Sequence, residues 1–134
     1  MINLNKIDHK IASSDPNVSS IVIPEIIHTL NGNKEWRVNG LLHREDGPAV
    51  ECENGTKEWC INGEYHREDG PAIEYGNGAK SWYINGKRHR ENGPAIEREN
   101  GAKLWYLNGH HVSYDPETWD QLVQESHIEH VMDE

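Results

Sequence analysis

WCINGEYHREDGPAIE, residues 59–74, decides the fold, because nearly the same words begin at Trp36 (WRVNGLLHREDGPAVE) and at Trp82 (WYINGKRHRENGPAIE). A fourth copy opens as WYLNG at Trp105 and then diverges. Trp36, Trp59, Trp82 and Trp105 stand 23 residues apart. A fixed period of this size marks a stacked array in which each unit buries its apolar face only against its neighbours.

Eleven of the twelve glycines directly follow Asn or Asp, the pairing that supplies positive φ in tight hairpin turns. The spacing predicts four hairpins, of residues 25–30 with 33–38, 48–53 with 56–61, 71–76 with 79–84 and 94–99 with 102–107. Two-residue turns would place Ile27 opposite Trp36, Val50 opposite Trp59, Ile73 opposite Trp82 and Ile96 opposite Trp105. By alternation, Val38, Ile61, Ile84, Leu107, Cys52 and Tyr75 join these pairs on one core face. The opposite face is then expected to be solvated and acidic, carrying Ala49, Ala72, Ala95, Glu51, Glu74, Glu97, Glu58, Cys60, Tyr83, Leu104 and Tyr106. This register separates Cys52 from Cys60 onto different faces, which disfavours a bridge, so both are expected as free thiols. The connecting segments NGLLHREDG, NGEYHREDG and NGKRHRENG are expected to fold across the tryptophan face, which would otherwise leave large apolar side chains in water.

The fourth unit continues as HHVSYDPETWDQLVQES, where Asp115 and Pro116 suit an N-cap and first helical turn. Trp119, Leu122 and Val123 share one helical face, and the spacing predicts a capping helix over 116–127 with its acids outward. Ile2, Leu4, Ile7, Ile11, Ile21, Val22 and Ile23 are expected to cap the other end. The expected class is all-β: a single-layer antiparallel β-hairpin repeat array with a short C-terminal capping helix. It divides into an N-terminal cap segment over 1–24, four hairpin repeats over 25–110, and an acidic capping helix and tail over 111–134.

Apolar residues make up 34% of the chain and Phe is absent, so the core must be a thin ladder of Trp, Tyr and β-branched side chains. The formal charge is −10, and residues 115–134 hold seven acids and no Lys or Arg. Such a balance disfavours direct nucleic-acid or anionic-membrane binding, which draws on Lys and Arg, and suits a partner with a basic surface. No run approaches the roughly 18 apolar residues of a membrane span. MINLNKIDHK lacks the apolar run of a signal peptide, so a cytoplasmic location is the expectation.

His43, His66 and His89 recur in register, but two strands per repeat at about 4.8 Å each hold the copies roughly 10 Å apart. That is too far for ligands that sit about 2 Å from one metal. Their expected role is structural, hydrogen-bonded within each loop. His110 with His111, and His127 with His130, lack a Cys or carboxylate framework, so no metal site is expected. Arg44 with Glu45, Arg67 with Glu68 and Arg90 with Glu91 read as a ladder of exposed ion pairs worth about 0 to 1 kcal/mol each. No nucleophile-and-base pair, phosphate loop or metal motif stands in the chain, so neither enzyme activity nor a cofactor is expected.

The unit W, two residues, NG, two residues, HR, an acid and then DGPA or its close variant resembles the MORN repeat. It is more closely similar to the MORN-like variant of bacteriophages and large DNA viruses, over residues 31–112. The resemblance implies a MORN-like solenoid and, for function, a phage or viral accessory protein that inhibits a host protein, such as a defence factor, by occupying its surface or a basic nucleic-acid-binding groove. An antitoxin-like partner that neutralises a toxin and a small-ligand-binding protein are the alternatives. The candidate partner-binding residues are Asp115, Glu117, Asp120, Glu125 and Glu129 of the helix and tail, with Glu51, Glu74, Glu97, Tyr83 and Tyr106 of the solvated face. Trp36, Trp59, Trp82, Trp105, His43, His66 and His89 are the structural set. The caps favour a monomer, and the open sheet edge offers a homodimer as the alternative.

Overall fold

The computed structural model describes residues 23–132, the side chains of 129–132 excepted. The expected N-terminal cap therefore lies, apart from Ile23 and Pro24, outside the described residues. Strands Glu25–His28, Lys34–Val38, Val50–Glu51, Lys57–Glu58, Ile73–Glu74, Lys80–Ser81, Ile96–Glu97, Lys103–Leu107 and His110–Val112 follow one another in chain order across one antiparallel sheet. Leu41–Leu42 pairs onto Lys34–Val38, and two short ladders join Cys60–Ile61 to Glu64–Tyr65 and Tyr83–Ile84 to Lys87–Arg88. A helix, Trp119–Met132, closes the described chain. Among the described residues the architecture is the expected one: many antiparallel strands in hairpin order, no closed barrel, and one C-terminal helix.

The turns differ from the expectation, and the difference moves every register. Each unit uses two kinds of Asn-Gly turn. In the first, Cys52 N–H donates to the Thr56 carbonyl at 2.8 Å and Gly55 N–H to the Cys52 carbonyl at 3.0 Å, so the loop is the three residues 53–55 with Gly55 at φ 93°. The second follows each tryptophan: Asn62 at φ 52° and Gly63 at φ 81° form a two-residue turn that sets Ile61 opposite Glu64. Both central residues at positive φ is the type I′ geometry, whose twist matches that of the strands it joins.

The three-residue loop shifts pairing by one. Val50 lies opposite Glu58, Ile73 opposite Ser81, and Ile96 opposite Leu104, while Ile26 rather than Ile27 faces Trp36. The tryptophans consequently face the alanines, with Trp36, Trp59 and Trp82 N–H donating to the Ala49, Ala72 and Ala95 carbonyls at 2.7–2.8 Å. Along this row a large ring alternates with a methyl, and the three alanines have no exposed surface at all. Beside it runs a second row, Lys34, Glu51, Lys57, Glu74, Lys80, Glu97 and Lys103, each opposite a residue of the other charge. Opposite charges directly across a ladder contribute about 0.2 to 1 kcal/mol each. A slip of one residue would break both rows, which is why this register holds.

The face assignments are therefore corrected. Ala49, Ala72 and Ala95 belong to the tryptophan side, as do Glu51, Glu74 and Glu97 by strand alternation. The face expected to be acidic and solvated carries Val50, Ile73 and Cys60, all buried, with Ser81 and Thr56 buried beside them. Cys52 and Cys60 share this side rather than opposing each other, and both are free thiols. Burial pushes the Cys60 thiol up to about 12, Glu58 adding to the effect over a smaller lowering by Arg37.

The helix starts at Trp119 rather than at the expected 116, because residues 116–118 form a turn in which Asp115 Oδ1 accepts from Glu117 N–H at 2.9 Å and the Asp115 carbonyl accepts from Trp119 N–H at 3.0 Å. It extends past the expected end at 127 to Met132 because HIEHVM holds no Gly or Pro to stop it.

Gly76 is the glycine that follows neither Asn nor Asp, standing where other units have Glu53 and Glu99. A Cβ there would lie 2.1 Å from the Asn54 carbonyl oxygen, a backbone atom of the neighbouring turn. Gly76→Glu, although it restores the repeat word, is thus expected to lower unfolding free energy by about 1–3 kcal/mol; an unchanged urea midpoint would contradict this packing.

Candidate partner-binding grooves

The site is built from the connecting segments, which do cross the tryptophan face. Each sends its arginine back over the ring of its own unit: the Arg44, Arg67 and Arg90 guanidinium carbons lie 3.9, 3.8 and 3.8 Å from the ring centroids of Trp36, Trp59 and Trp82. Arg67 also donates through Nε to Asp69 at 3.2 Å and through one terminal nitrogen to the Pro71 carbonyl at 3.0 Å and Glu74 at 3.1 Å. Arg90 repeats this with Asn92, Pro94 and Glu97, and Arg44 with Asp46, Pro48 and, at 3.6 Å, Glu51. The glycine of each DGP or NGP word leaves room for the guanidinium, since a Cβ at Gly47, Gly70 or Gly93 would come within 2.6–2.9 Å of its carbon.

The expected Arg44–Glu45 type of pair is thus replaced by pairs two and seven residues on. Glu45, Glu68 and Glu91 turn instead to His43, His66 and His89, whose Nε2 atoms lie 3.1–3.3 Å away. The other ring nitrogen, Nδ1, accepts from the backbone N–H of Asn62, Asn85 and Asn108 at 2.9–3.0 Å. Each histidine therefore ties its own arm to the turn of the next unit, a tie between repeats as well as within the loop.

Two arms and the sheet between them enclose a groove. The first, about 710 Å³, has Trp59 and Ile61 as its floor, residues 44–47 as one wall and 66–69 as the other. The next, about 590 Å³, lies over Ile84 between Arg67 and Glu68 on one side and residues 89–92 on the other, and is bounded by Ser126 and His127 of the helix. The rims are acidic and point outward: side-chain exposure is 83% at Glu45, 86% at Asp46, 81% at Glu68 and 89% at Asp69.

A third groove is filled. In the fourth unit Tyr114 takes the place of the arginine, stacked on Trp105 with centroids 3.8 Å apart. Trp119 then enters edge-on, 5.0 Å from Trp105 and 5.7 Å from Tyr114. Its Nε1–H donates to the Glu91 carbonyl at 2.6 Å. His127 Nε2 reaches the Glu91 carboxylate at 2.8 Å, and Asn108 Nδ2 donates to the Ser126 carbonyl at 2.8 Å. Burial pushes the Glu91 carboxyl up, but the hydrogen bonds and charges of His127 and His89 outweigh it and hold the group below its ordinary range.

The expected site residues divide. Glu117, in the turn before the helix, and Asp120 and Glu125, on the helix, are exposed, and Glu125 accepts from Gln121 at 3.1 Å. Asp115 is occupied in the turn that leads into the helix, and the Glu129 side chain lies outside the described residues. Glu51, Glu74 and Glu97 are engaged with the arginines rather than offered to a partner. Tyr83 and Tyr106 are half-buried in a row with Tyr65, Arg88 and His111. Absent from the expectation were the rim acids Glu45, Asp46, Glu68 and Asp69, although their recurrence in HREDG was visible. Among the described residues no group of three His, Cys, Asp or Glu could hold a metal, and no helix is long and apolar enough to cross a membrane. No family model, curated protein or solved structure matches this chain.

Two outcomes follow. Arg67→Lys keeps the charge but loses the planar stack and the fork of donors, and should cost about 1–3 kcal/mol of stability in denaturant unfolding; a loss below about 0.5 kcal/mol would reduce Arg67 to an ordinary surface charge. Because the folded Glu91 carboxyl is held below 4.5, its contribution is present above that pH and is lost as pH falls through the folded value. Amide protection in the helix should therefore weaken as pH drops below about 4.5, and Glu91→Gln should remove that pH dependence; an identical acid profile in both proteins would contradict it.

Proposed function

We propose that this chain is a non-catalytic scaffold that binds another protein through the grooves and acidic rims of its repeat arms. The observation that carries the reading is the division of charge within each arm. The arginines lie on tryptophan rings and are half-buried, while Glu45, Asp46, Glu68 and Asp69 stand in solvent. Outward charge on these arms is therefore negative, which attracts a basic protein surface and repels nucleic acid. A repeated groove row is also the kind of extended surface that stacked repeats use for recognition. The likeness of residues 31–112 to viral MORN-like arrays supports a phage or viral setting in which the partner is a host protein and binding blocks its surface.

Copurification with the tagged full chain expressed in candidate host cells tests this reading. A protein with a basic surface should be held by the native chain and released when Glu45 and Glu68, exposed rim acids that bond no arginine, are both changed to Lys. Retention by that variant would remove the arms from recognition, and the absence of any captured protein would count against the scaffold itself.

A further inference from the structure

The filled groove is a template for the open ones. Moving the first groove two units along the chain maps Trp59 and Ile61 onto Trp105 and Leu107, and residues 44–47 and 66–69 onto 90–93 and 112–115. Trp119 touches all three parts of that mapped site: the floor at Trp105, one wall at the Glu91 carbonyl and the other at Tyr114. The effect on the lining is visible in its burial. Leu107, Gly93 and Pro94 are buried, whereas their counterparts Ile61, Ile84, Gly47, Pro48, Gly70 and Pro71 are left half-buried. The first open groove thus has the corresponding aromatic and aliphatic floor, the corresponding arm walls and the corresponding backbone carbonyl, with no side chain of the described residues seated in it.

The charge of the walls differs in a way that names the occupant. The open groove presents Glu45, Asp46, Glu68 and Asp69, while the filled one has Glu91, Asn92, Tyr114 and Asp115 at the same positions, so two of its four acids are replaced. The groove that accepts an acidic helix is the one with fewer acids. An acidic helix from a second copy of this chain would meet four carboxylates in the first open groove, an unfavourable match.

We infer that the open groove between residues 44–47 and 66–69 receives a helix of a partner protein that carries a tryptophan and, about two turns further on, basic side chains. The tryptophan ring packs on Trp59 and Ile61 and donates its indole N–H to the Glu45 carbonyl, as Trp119 does to Glu91. The basic groups meet the rim carboxylates, as His127 of the resident helix meets the Glu91 carboxylate beside the filled groove. This deepens the scaffold reading and rests on it.

The probe is a labelled synthetic peptide of residues 113–132 in which Glu117, Asp120, Glu125 and Glu129 are replaced by Lys, titrated into the full chain by fluorescence anisotropy. Saturable binding is expected, weakened at least about tenfold when the peptide carries Trp119→Ala. A similar loss is expected when the protein carries Glu45→Lys with Glu68→Lys, whose side chains are exposed and bond only the Nε2 atoms of His43 and His66, an unchanged urea midpoint showing that the fold is kept. No saturable binding would overturn the inference. So would equal binding of the Trp119→Ala peptide, which would mean charge attraction alone, or a loss confined to a Glu91→Lys protein, which would mean exchange with the resident helix. The scaffold reading fails separately: a partner still copurified and still sensitive to the rim acids would leave it standing when the peptide fails.

Discussion

The stack of an arginine on a tryptophan is the interaction on which the rest of this structure depends. A sheet whose middle strands are two residues long has little backbone to hold it and one face lined with indoles. Placing a guanidinium on each ring covers that face without requiring a second sheet. A cation over an aromatic face contributes about 0.5–2 kcal/mol, and here the same group also bonds to a carboxamide or carboxylate, a proline carbonyl and a glutamate. The fork is planar and rigid, so several bonds are made for one set of fixed torsions. The arm that carries it is thereby held at a set height above the sheet, and the groove exists because two neighbouring arms are held in the same way.

The array end shows what happens when the stack cannot continue. At Trp105 no arginine returns, and Tyr114 supplies the ring contact while Trp119 and the helix supply the cover. An aromatic stack can replace a cation over a ring, but it leaves the far side of the groove unsatisfied, which Trp119 fills with a hydrogen bond to the Glu91 carbonyl. The cap is therefore a substitute for a further arm, with Tyr114 and Trp119 covering Trp105 where an arginine covers each earlier ring.

How much of this was legible in the sequence depends on which turn a given Asn-Gly makes. The repeats, hairpin order and capping helix were readable from the Trp period, from glycine placement and from Asp115–Pro116. Register was not, because one dipeptide serves two turns: Asn62–Gly63 puts both residues at positive φ, whereas in the 53–55 loop only Gly55 is so placed. The dipeptide alone does not distinguish them. The side chains could have, since Ala49, Ala72 and Ala95 are the small residues that fit between successive indoles, and Lys34, Glu51, Lys57 and Glu74 alternate in charge only in the observed register. The one-residue error inverted the faces and so directed attention to Glu51, Glu74 and Glu97, which are internal partners, and away from the rim acids.

That inversion bears on the meaning of the charge. The formal value of −10 counts every arginine equally with every acid. Arg44 and Arg67 lie against rings and carboxylates, Asp46 and Asp69 among them, and their fields are largely compensated within about 4 Å, whereas Glu45 and Glu68 on the arm tips bond no arginine and act over a Debye length of about 8–10 Å. Successive arms stand roughly 10 Å apart, two strand spacings, so the fields of neighbouring tips overlap at physiological salt. A partner approaching the array meets a continuous negative edge, and only at contact distance does it meet separate grooves. Steering is consequently a property of the whole array, while discrimination rests on what a single groove will admit.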